Sequence, residues 1–409
     1  MKKFTTMLAE EKNTHMEHLE DAVLNGGVDG SRDAIKLLQN LRNMLAGNTK
    51  SPVDVTVKWD GAPAVFAGID PSDGKFFVAK KGIFNKNPKV YKSPSDVDSD
   101  TSGDLAFKLK KALQYLPELG ITSGVYQGDF LFDKSDLKKE TIDGEKMVTF
   151  HPNTIVYAAP IASDLGRSIN SANIGIVWHT TYTGESFDSM KASFGQDIAT
   201  KFSTSKNVWS VDATFHDVSG NATFTKKETD KITKALSSAE KIFRKIDAKT
   251  LNGISENQEL LRKVKVHYNI KVRSGEKVVN VSSHVKDLVN YIAEFYSKEA
   301  SKRKTEKGKS AQFSKRDEIL KFFSNANKKN LENIFELMNY IIEAKEMVIK
   351  QLDQASNIGT FLKTPSGFKV TSPEGYVGID RNGSALKLVN RMEFSKANFS
   401  SDIIKGWQK

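Results

Sequence analysis

The chain has 409 residues, no cysteine and a formal net charge of +11. The absence of cysteine excludes disulfides, thiolate nucleophiles and Cys-ligated zinc; no apolar run approaches membrane-spanning length, and the start "MKKFTTMLAEEKNTHMEHLED" lacks the apolar core of a secretory signal. The charge favours a polyanionic partner, with nucleic acid as the first choice and no membrane role, and the expected location is cytoplasmic.

In chain order, residues 1–50 read as two helices around the "NGGVDGS" break from Asn25 to Ser31, the second carrying the stripe Ala34, Leu37, Leu38, Leu41 and Leu45. His15 and His18 bracket "ME" in the order HxEH, unlike the HExxH of zinc proteases, and read as surface histidines of a helix. Val53, Val55 and Val57 alternate with polar neighbours between Pro52 and Gly61, as in a strand. "KFFVAKKGIFNK" (Lys75 to Lys86) follows an Asp73-Gly74 turn and is expected to pair back on that first strand as a hairpin. Ala106 to Leu119 fits a helix; "GVYQGDFLF", "TIVYAAP" and "IGIVWHTTY" fit strands. From Lys226 to Asn357 the chain turns helical and charged, with stripes at Val285, Leu288, Val289 and Ile292 and at Leu331, Ile334, Leu337, Met338, Ile341 and Ile342 that read as helix-bundle core. Within it "KEASKRKTEKGKSAQFSKR" holds eight basic and two acidic residues. It reads equally as a solvated helix end or as a phosphate-binding patch made of Lys302, Arg303, Lys304, Lys307, Lys309, Lys315 and Arg316. Two short β runs follow, around a turn from Asp380 to Gly383.

The first strand poses a chemical question. Lys58 ends an apolar β run and is followed by Trp59, Asp60 and Gly61. A lysine there is costly unless partnered or used, and burial would expose a neutral amine, a nucleophile. Lys58-Trp59-Asp60-Gly61 is a K-x-D-G motif, and further elements follow it in order: Lys80-Lys81-Gly82, Gly128-Asp129 in "YQGDFLF", Trp178 and Tyr182 in "IVWHTTY", Glu374-Gly375-Tyr376-Val377, and Lys387 in "SALKLVNR".

Together these resemble the covalent nucleotidyltransferase superfamily of ATP-dependent DNA and RNA ligases and mRNA capping enzymes. The resemblance covers residues 51–190 and 364–396. It implies an α+β fold: a ligase-type core of antiparallel sheets (51–225 and 358–409), with an N-terminal helical segment (1–50) and an inserted helical domain (226–357). It implies that Lys58 attacks the α-phosphate of ATP to form a lysyl-AMP, with Lys387 contacting that phosphate. Thr56, Asp60, Gly61, Lys81, Asp129 and Trp178 would bind the nucleotide, Trp178 by stacking on the base, and Glu374 and Asp129 would hold Mg²⁺ or Mn²⁺. The chain departs from the family pattern at Pro63, where an arginine is usual, and in the single lysine of the last motif. It ends 22 residues after Lys387, so the expectation is a ligase-like core without a C-terminal OB domain. The implied activity is polynucleotide ligation, RNA before DNA, on RNA or nicked or single-stranded DNA. The alternatives are a non-catalytic nucleic-acid-binding or virion protein on a ligase-like fold, and a nucleotidyltransferase acting on a protein or small molecule. "KWDGAPAVFAGIDPSDGKFFVAKKGIFNKNPKVY" is also similar to uncharacterised proteins of large tailed phages, which implies the cytoplasm of an infected cell.

Overall fold

A computed structural model describes residues 17–47, 53–215, 223–355, 358–380 and 385–408. The fold is mixed α/β, with sheets that are antiparallel except for one parallel edge ladder in the central sheet, and an extensive helical region. No helix among the described residues is long and apolar enough to cross a membrane.

The first helix, α1 (Asp21–Leu45), buries the expected leucine stripe. The break at Asn25 to Ser31 does not separate two helices; it is a kink inside α1 at Gly27, where φ is +57°. A side chain at position 27 would begin 2.4 Å from Asn252 Oδ1, so glycine serves both the left-handed backbone and the close contact. His15 lies outside the described residues. His18 is not a surface residue of a helix: it forms a parallel β-bridge with Lys387, and burial together with the cations of Arg391, Lys345, Lys387 and Lys58 lowers its pKa to about 2.

Strand β1 (Asp54–Lys58) pairs with neither of its sequence neighbours. After the Trp59–Pro63 turn the chain enters a second sheet as β2 (Ala64–Ile69), and β3 (Phe76–Ala79) pairs back on β2. The hairpin expected on the first strand therefore forms one strand later. The chain continues through α2 (Pro94–Asp100) and α3 (Gly103–Tyr115) to β4 (Val125–Asp133), β5 (Lys138–Ile142), β6 (Glu145–Phe150) and β7 (Ile155–Pro160). Beyond α4 (Asp164–Ser171) come β8 (Ile174–Thr183), β9 (Lys191–Phe194) and β10 (Val208–Asp212). The central sheet has the order β10-β8-β4-β2-β3, with β9 on β8. One of its faces packs on α3 through Val65, Phe130, Ile176 and Trp178. The other packs through Phe132, Val177 and Trp209 on Phe150 and Tyr157 of a third sheet.

Six helices follow: α5 (Lys226–Phe243), α6 (Ala248–Glu256), α7 (Gln258–Arg273), α8 (Val281–Ser301), α9 (Glu306–Leu320) and α10 (Asn325–Leu352). Leu288, Ile292, Leu331, Ile334, Leu337, Met338 and Ile341 are all buried, as their spacing requires. The chain then completes both outer sheets. Strands β11 (Gly359–Thr364) and β12 (Gly367–Val370) extend the third to the order β12-β11-β7-β6-β5, while β13 (Gly375–Ile379) and β14 (Ala385–Leu388) join β1 in the order β1-β13-β14. The expected turn between β13 and β14 lies at residues outside the described ones, Asp380 excepted. The chain's last helix among the described residues is α11 (Arg391–Phe399).

The β1-β13-β14 sheet has two unlike faces, because alternate residues of a strand point to opposite sides. Val55, Val57, Tyr376, Leu386 and Leu388 join the core made by α1 and the helices α5 to α10. Thr56, Lys58, Val377 and Lys387 share the other face, since Thr56 and Lys387 both register opposite Val377 and Lys58 lies two residues from Thr56.

Where α1 meets α10 and α11, charge is buried inside the protein. Lys345 donates to Glu20 at 2.7 Å with both side chains 1% exposed, and Arg391 bridges Asp21 at 2.9 Å. Removing one partner strands the other charge, whereas an apolar pair of similar volume restores much of the loss. Lys345→Met alone is expected to lower the unfolding free energy by about 3–5 kcal/mol. Glu20→Leu added to it should recover most of that in the same urea titration.

Candidate functional site

Lys58 stands at the end of β1, directly opposite Gly375. Glu374, the residue before β13, reaches back and ion-pairs with the Lys58 ammonium; the two side chains are 23% and 12% exposed. Gly375 has φ +149°, and a Cβ there would lie 2.5 Å from the Leu388 carbonyl oxygen. Only glycine lets β13 and β14 close at this point and leaves room across from Lys58. Lys387 lies on the same sheet face, its backbone held from the opposite edge: its amide donates to Glu17 O at 2.8 Å and its carbonyl accepts from Leu19 N at 3.1 Å. Burial lowers the pKa of Lys387, and the nearby Lys58 and Lys81 cations add to the effect against the opposing carboxylates of Glu374 and Glu17. Three lysines of distant origin thus feel one another.

The central sheet meets this face through a strand shared between the two. Beyond β10 the chain continues along β1, where Val57 N donates to Ala213 O at 2.6 Å and Phe215 N to Val55 O at 2.8 Å. Asp129, on β4, registers opposite Ala64. A Cβ on Gly61 would lie 2.6 Å from Asp129 Cβ, so the glycine of the K-x-D-G turn lets β4 approach it closely. Burial raises the pKa of Glu374 to about 7, reinforced by the carboxylates of Asp60 and Asp129 and opposed by Lys58.

Three assignments made from sequence are corrected by the geometry. Trp178 is 0% exposed; it packs edge-on to Tyr126 and Phe202 and donates to Ser210 Oγ at 3.0 Å, so its faces are not open to a base. Asp60 is buried, and its carboxylate accepts from Asn153 Nδ2 at 2.6 Å, Thr154 N at 2.7 Å and Ile155 N at 3.0 Å. It anchors the turn after Lys58 to the start of β7 and does not offer itself to a ligand. Thr56 is buried under the bridge to Thr214. The face does hold a residue that sequence reasoning passed over. Between Gln127 and Gly128 the register of β4 against β8 slips by one, Thr180 pairing with Gln127 and Trp178 with Gly128. His179 is the extra residue of this bulge, the kind of irregularity that re-aims a side chain. Its Nε2 lies 3.8 Å from Asp129 Oδ2, and its Nδ1 contacts Thr180 Oγ1 at 2.7 Å. The only prior signal was a polar ring inside an apolar strand.

A cavity of about 240 Å³ adjoins Glu374, but its other charged walls are Glu346, Asp353 and Glu393 with Lys350, and none of the three site lysines lines it. With those acidic walls it is poorly suited to a polyanion. Among the described residues no group of three or more His, Asp or Glu is arranged to hold a metal ion. Glu374 and Asp129 supply hard oxygen donors, which fits Mg²⁺ in the mode where one or two carboxylates hold it together with substrate phosphates. The basic run lies elsewhere, from the end of α8 through α9. Lys302, Lys309 and Arg316 pair with Glu299, Glu306 and Asp317 at 2.6, 2.6 and 2.8 Å. Arg303, Lys304, Lys307 and Lys315 are exposed and make no ion pair among the described residues.

A mixed α/β protein with a lysine–carboxylate cluster where two sheets meet is the class this geometry defines. The chain belongs to a family of unknown function, DUF6267, whose model matches residues 13–403. No curated protein and no solved structure matches it.

The pKa of Glu374 gives a pH dependence of stability. Its folded pKa near 7 lies above the ordinary value of 4.5, so the native state holds a proton that the unfolded state has lost. Stability from this group is complete below pH 4.5 and is lost as pH rises through about 7. The unfolding free energy of wild type minus that of Glu374→Gln should therefore fall across this window, by about 1–3 kcal/mol. A difference that is flat with pH would remove the shift.

Proposed function

We propose that this protein is a covalent nucleotidyltransferase that uses Lys58 as its nucleophile and a polynucleotide, RNA before DNA, as its acceptor. One observation carries the reading. Lys58, Asp129, Glu374 and Lys387 are scattered over more than three hundred residues, yet Lys58 and Lys387 share one sheet face, Glu374 reaches Lys58 from just before β13, and Asp129 comes up through Gly61. The ligase-type core and its nucleotide chemistry follow from this reading.

In the first step the Lys58 amine attacks the α-phosphorus of ATP. A nitrogen–phosphorus bond forms, the bond to the pyrophosphate oxygen breaks, and the amine's proton passes to solvent. The resting ammonium is held by Glu374, so nucleotide entry must exchange that ion pair for contacts to the triphosphate. Lys387 and Lys81 are placed to offset charge developing on the phosphate and the leaving pyrophosphate. Mg²⁺, when bound, would neutralise phosphate charge, with Glu374 and Asp129 as its protein ligands. In the later steps AMP moves to a 5′-phosphate and is displaced by a 3′-hydroxyl.

A second reading, a non-catalytic nucleic-acid-binding protein on such a fold, is favoured by two observations: the buried Trp178, which leaves no base platform where one was expected, and the occupied Lys58. Incubation with α-labelled ATP and Mg²⁺ separates the two. Wild type should retain label after denaturation and lose it to pyrophosphate, Lys58→Ala should retain none, and Lys387→Ala should label about 10²–10³ times more slowly. Absence of label with any nucleoside triphosphate between about pH 6 and 9 sinks the enzyme reading.

The basic run gives an independent prediction. Changing Lys302, Arg303, Lys304 and Lys307 to glutamine should leave self-labelling intact. It should weaken polynucleotide binding and flatten the slope of log affinity against log salt by up to about 3. Unchanged binding would make the run a solvated face, and lost labelling would place it beside the triphosphate.

A further inference from the structure

The helix α9 (Glu306–Leu320) contributes little to the protein's core: Ile319 is its one buried side chain. Its surface is charged along most of its length, yet Phe313 stands on it 37% exposed. The Arg316 guanidinium lies 4.9 Å from the centre of the Phe313 ring. Lys309, one turn earlier, shares this side of the helix. Arg303 lies across the first turn, with its Cβ 3.3 Å from where a side chain on Gly308 would begin. In the same basic run Arg303, Lys304 and Lys307, before and in the first turn of α9, are exposed and have no ion-pair partner among the described residues, while Lys315, two residues from Phe313, falls on the far side of the helix.

We propose that Phe313 and Arg316 form a stacking platform for the bases of a single-stranded polynucleotide whose phosphates meet Lys309 on the same side of α9 and the exposed Arg303, Lys304 and Lys307 at its start. The argument is one of complementary chemistry. Flat rings flanked by cations bind unpaired bases without regard to sequence, because every base offers a π-face while its backbone offers charge. A duplex satisfies the cations but hides its base faces, leaving the phenyl ring nothing to meet. A lipid surface needs an apolar stripe along the helix, and α9 exposes the single ring of Phe313 among its large apolar side chains. An acidic peptide accounts for the lysines and leaves the ring unexplained. The inference deepens the polynucleotide reading above and rests on it for its purpose, but the binding it describes needs no chemistry at Lys58.

The test uses the full chain and fluorescent RNA and DNA oligonucleotides of about 16 nucleotides, single-stranded or annealed to their complements. Phe313→Ala should weaken single-strand binding about tenfold, leave duplex binding within a factor of about two, and keep the salt slope unchanged, since no charge is removed. Phe313→Trp should bind single strands at least as tightly as wild type. The proposal is overturned if Phe313→Ala binds single strands like wild type, or if its loss is equal on duplex. It is overturned too if Phe313-dependent binding is found only with phosphatidylserine–phosphatidylcholine vesicles. Phe313-dependent binding by a protein that takes no label at Lys58 would support the platform and reject the enzyme, so the two failures are distinguishable.

Discussion

The pairing of β1 with β13 is the constraint on which everything else rests. Five consecutive residue pairs, from Asp54 with Ile379 to Lys58 with Gly375, join the beginning of the fold to its end. This ladder puts Glu374 against Lys58, and β14 then adds Lys387 to the same face. The ladder's register fixes which residues stand on that face. A slip of one residue would turn Lys58 into the helical core and bring Val57 to the site, because strand side chains alternate. The core residues Val55, Tyr376 and Leu388 on the reverse face oppose such a slip. Hydrophobic burial on one side of the sheet therefore sets the position of the charges on the other.

Much of this was legible in the sequence, and the failures have physical causes. The stripes of α8 and α10 could be read because helical periodicity repeats over many turns, and residues such as Leu288 and Leu337 had no polar competitor at their positions. The hairpin was attached to the wrong strand because turn residues report that a chain reverses, not which strand it reverses onto; β1 and β2 are both short apolar runs separated only by the Trp59–Pro63 turn. Lys58, Asp129 and Lys387 stand out in the sequence because charges inside apolar strands are rare, and Glu374 because it directly precedes one. Trp178 could not be placed. Its strand is apolar on both sides, burial pattern gives no hint of which face is open, and a single bulge decides that His179 faces Asp129. Asp60 escapes the sequence for a related reason: a buried carboxylate gripped by Asn153 and two backbone amides looks the same in sequence as one that waits for a ligand.

The helical region is bound to the site by more than packing. Glu20 and Asp21, at the start of α1, meet Lys345 of α10 and Arg391 of α11, while Lys265 of α7 lies 3.6 Å from Glu17, whose backbone holds Lys387. Buried ionic contacts of this kind are poor sources of net stability, but removing one partner is strongly destabilising because it leaves an uncompensated charge. They define how α1 sits between the helices and the lysine-bearing sheet. The apolar core runs continuously from α1 to Leu388, and the buried charges tie α1 to α10 and α11 at points where losing one partner strands the other.

The β1–β13 ladder also sets a schedule for synthesis. At ribosomal rates of about 5–20 residues per second, strand β1 emerges roughly 15–60 s before its partner. Through that interval Val55 and Val57 have no β13 to complete the sheet, and one edge of β1 carries unpaired amides and carbonyls, the kind of edge on which chains join one another. The helices between Lys226 and Leu352 emerge in the meantime and pack against the same core. They can shelter the apolar face of β1 before its edge is paired. The lysine-bearing face is assembled last, so a nascent chain stopped before Glu374 carries Lys58 without that carboxylate.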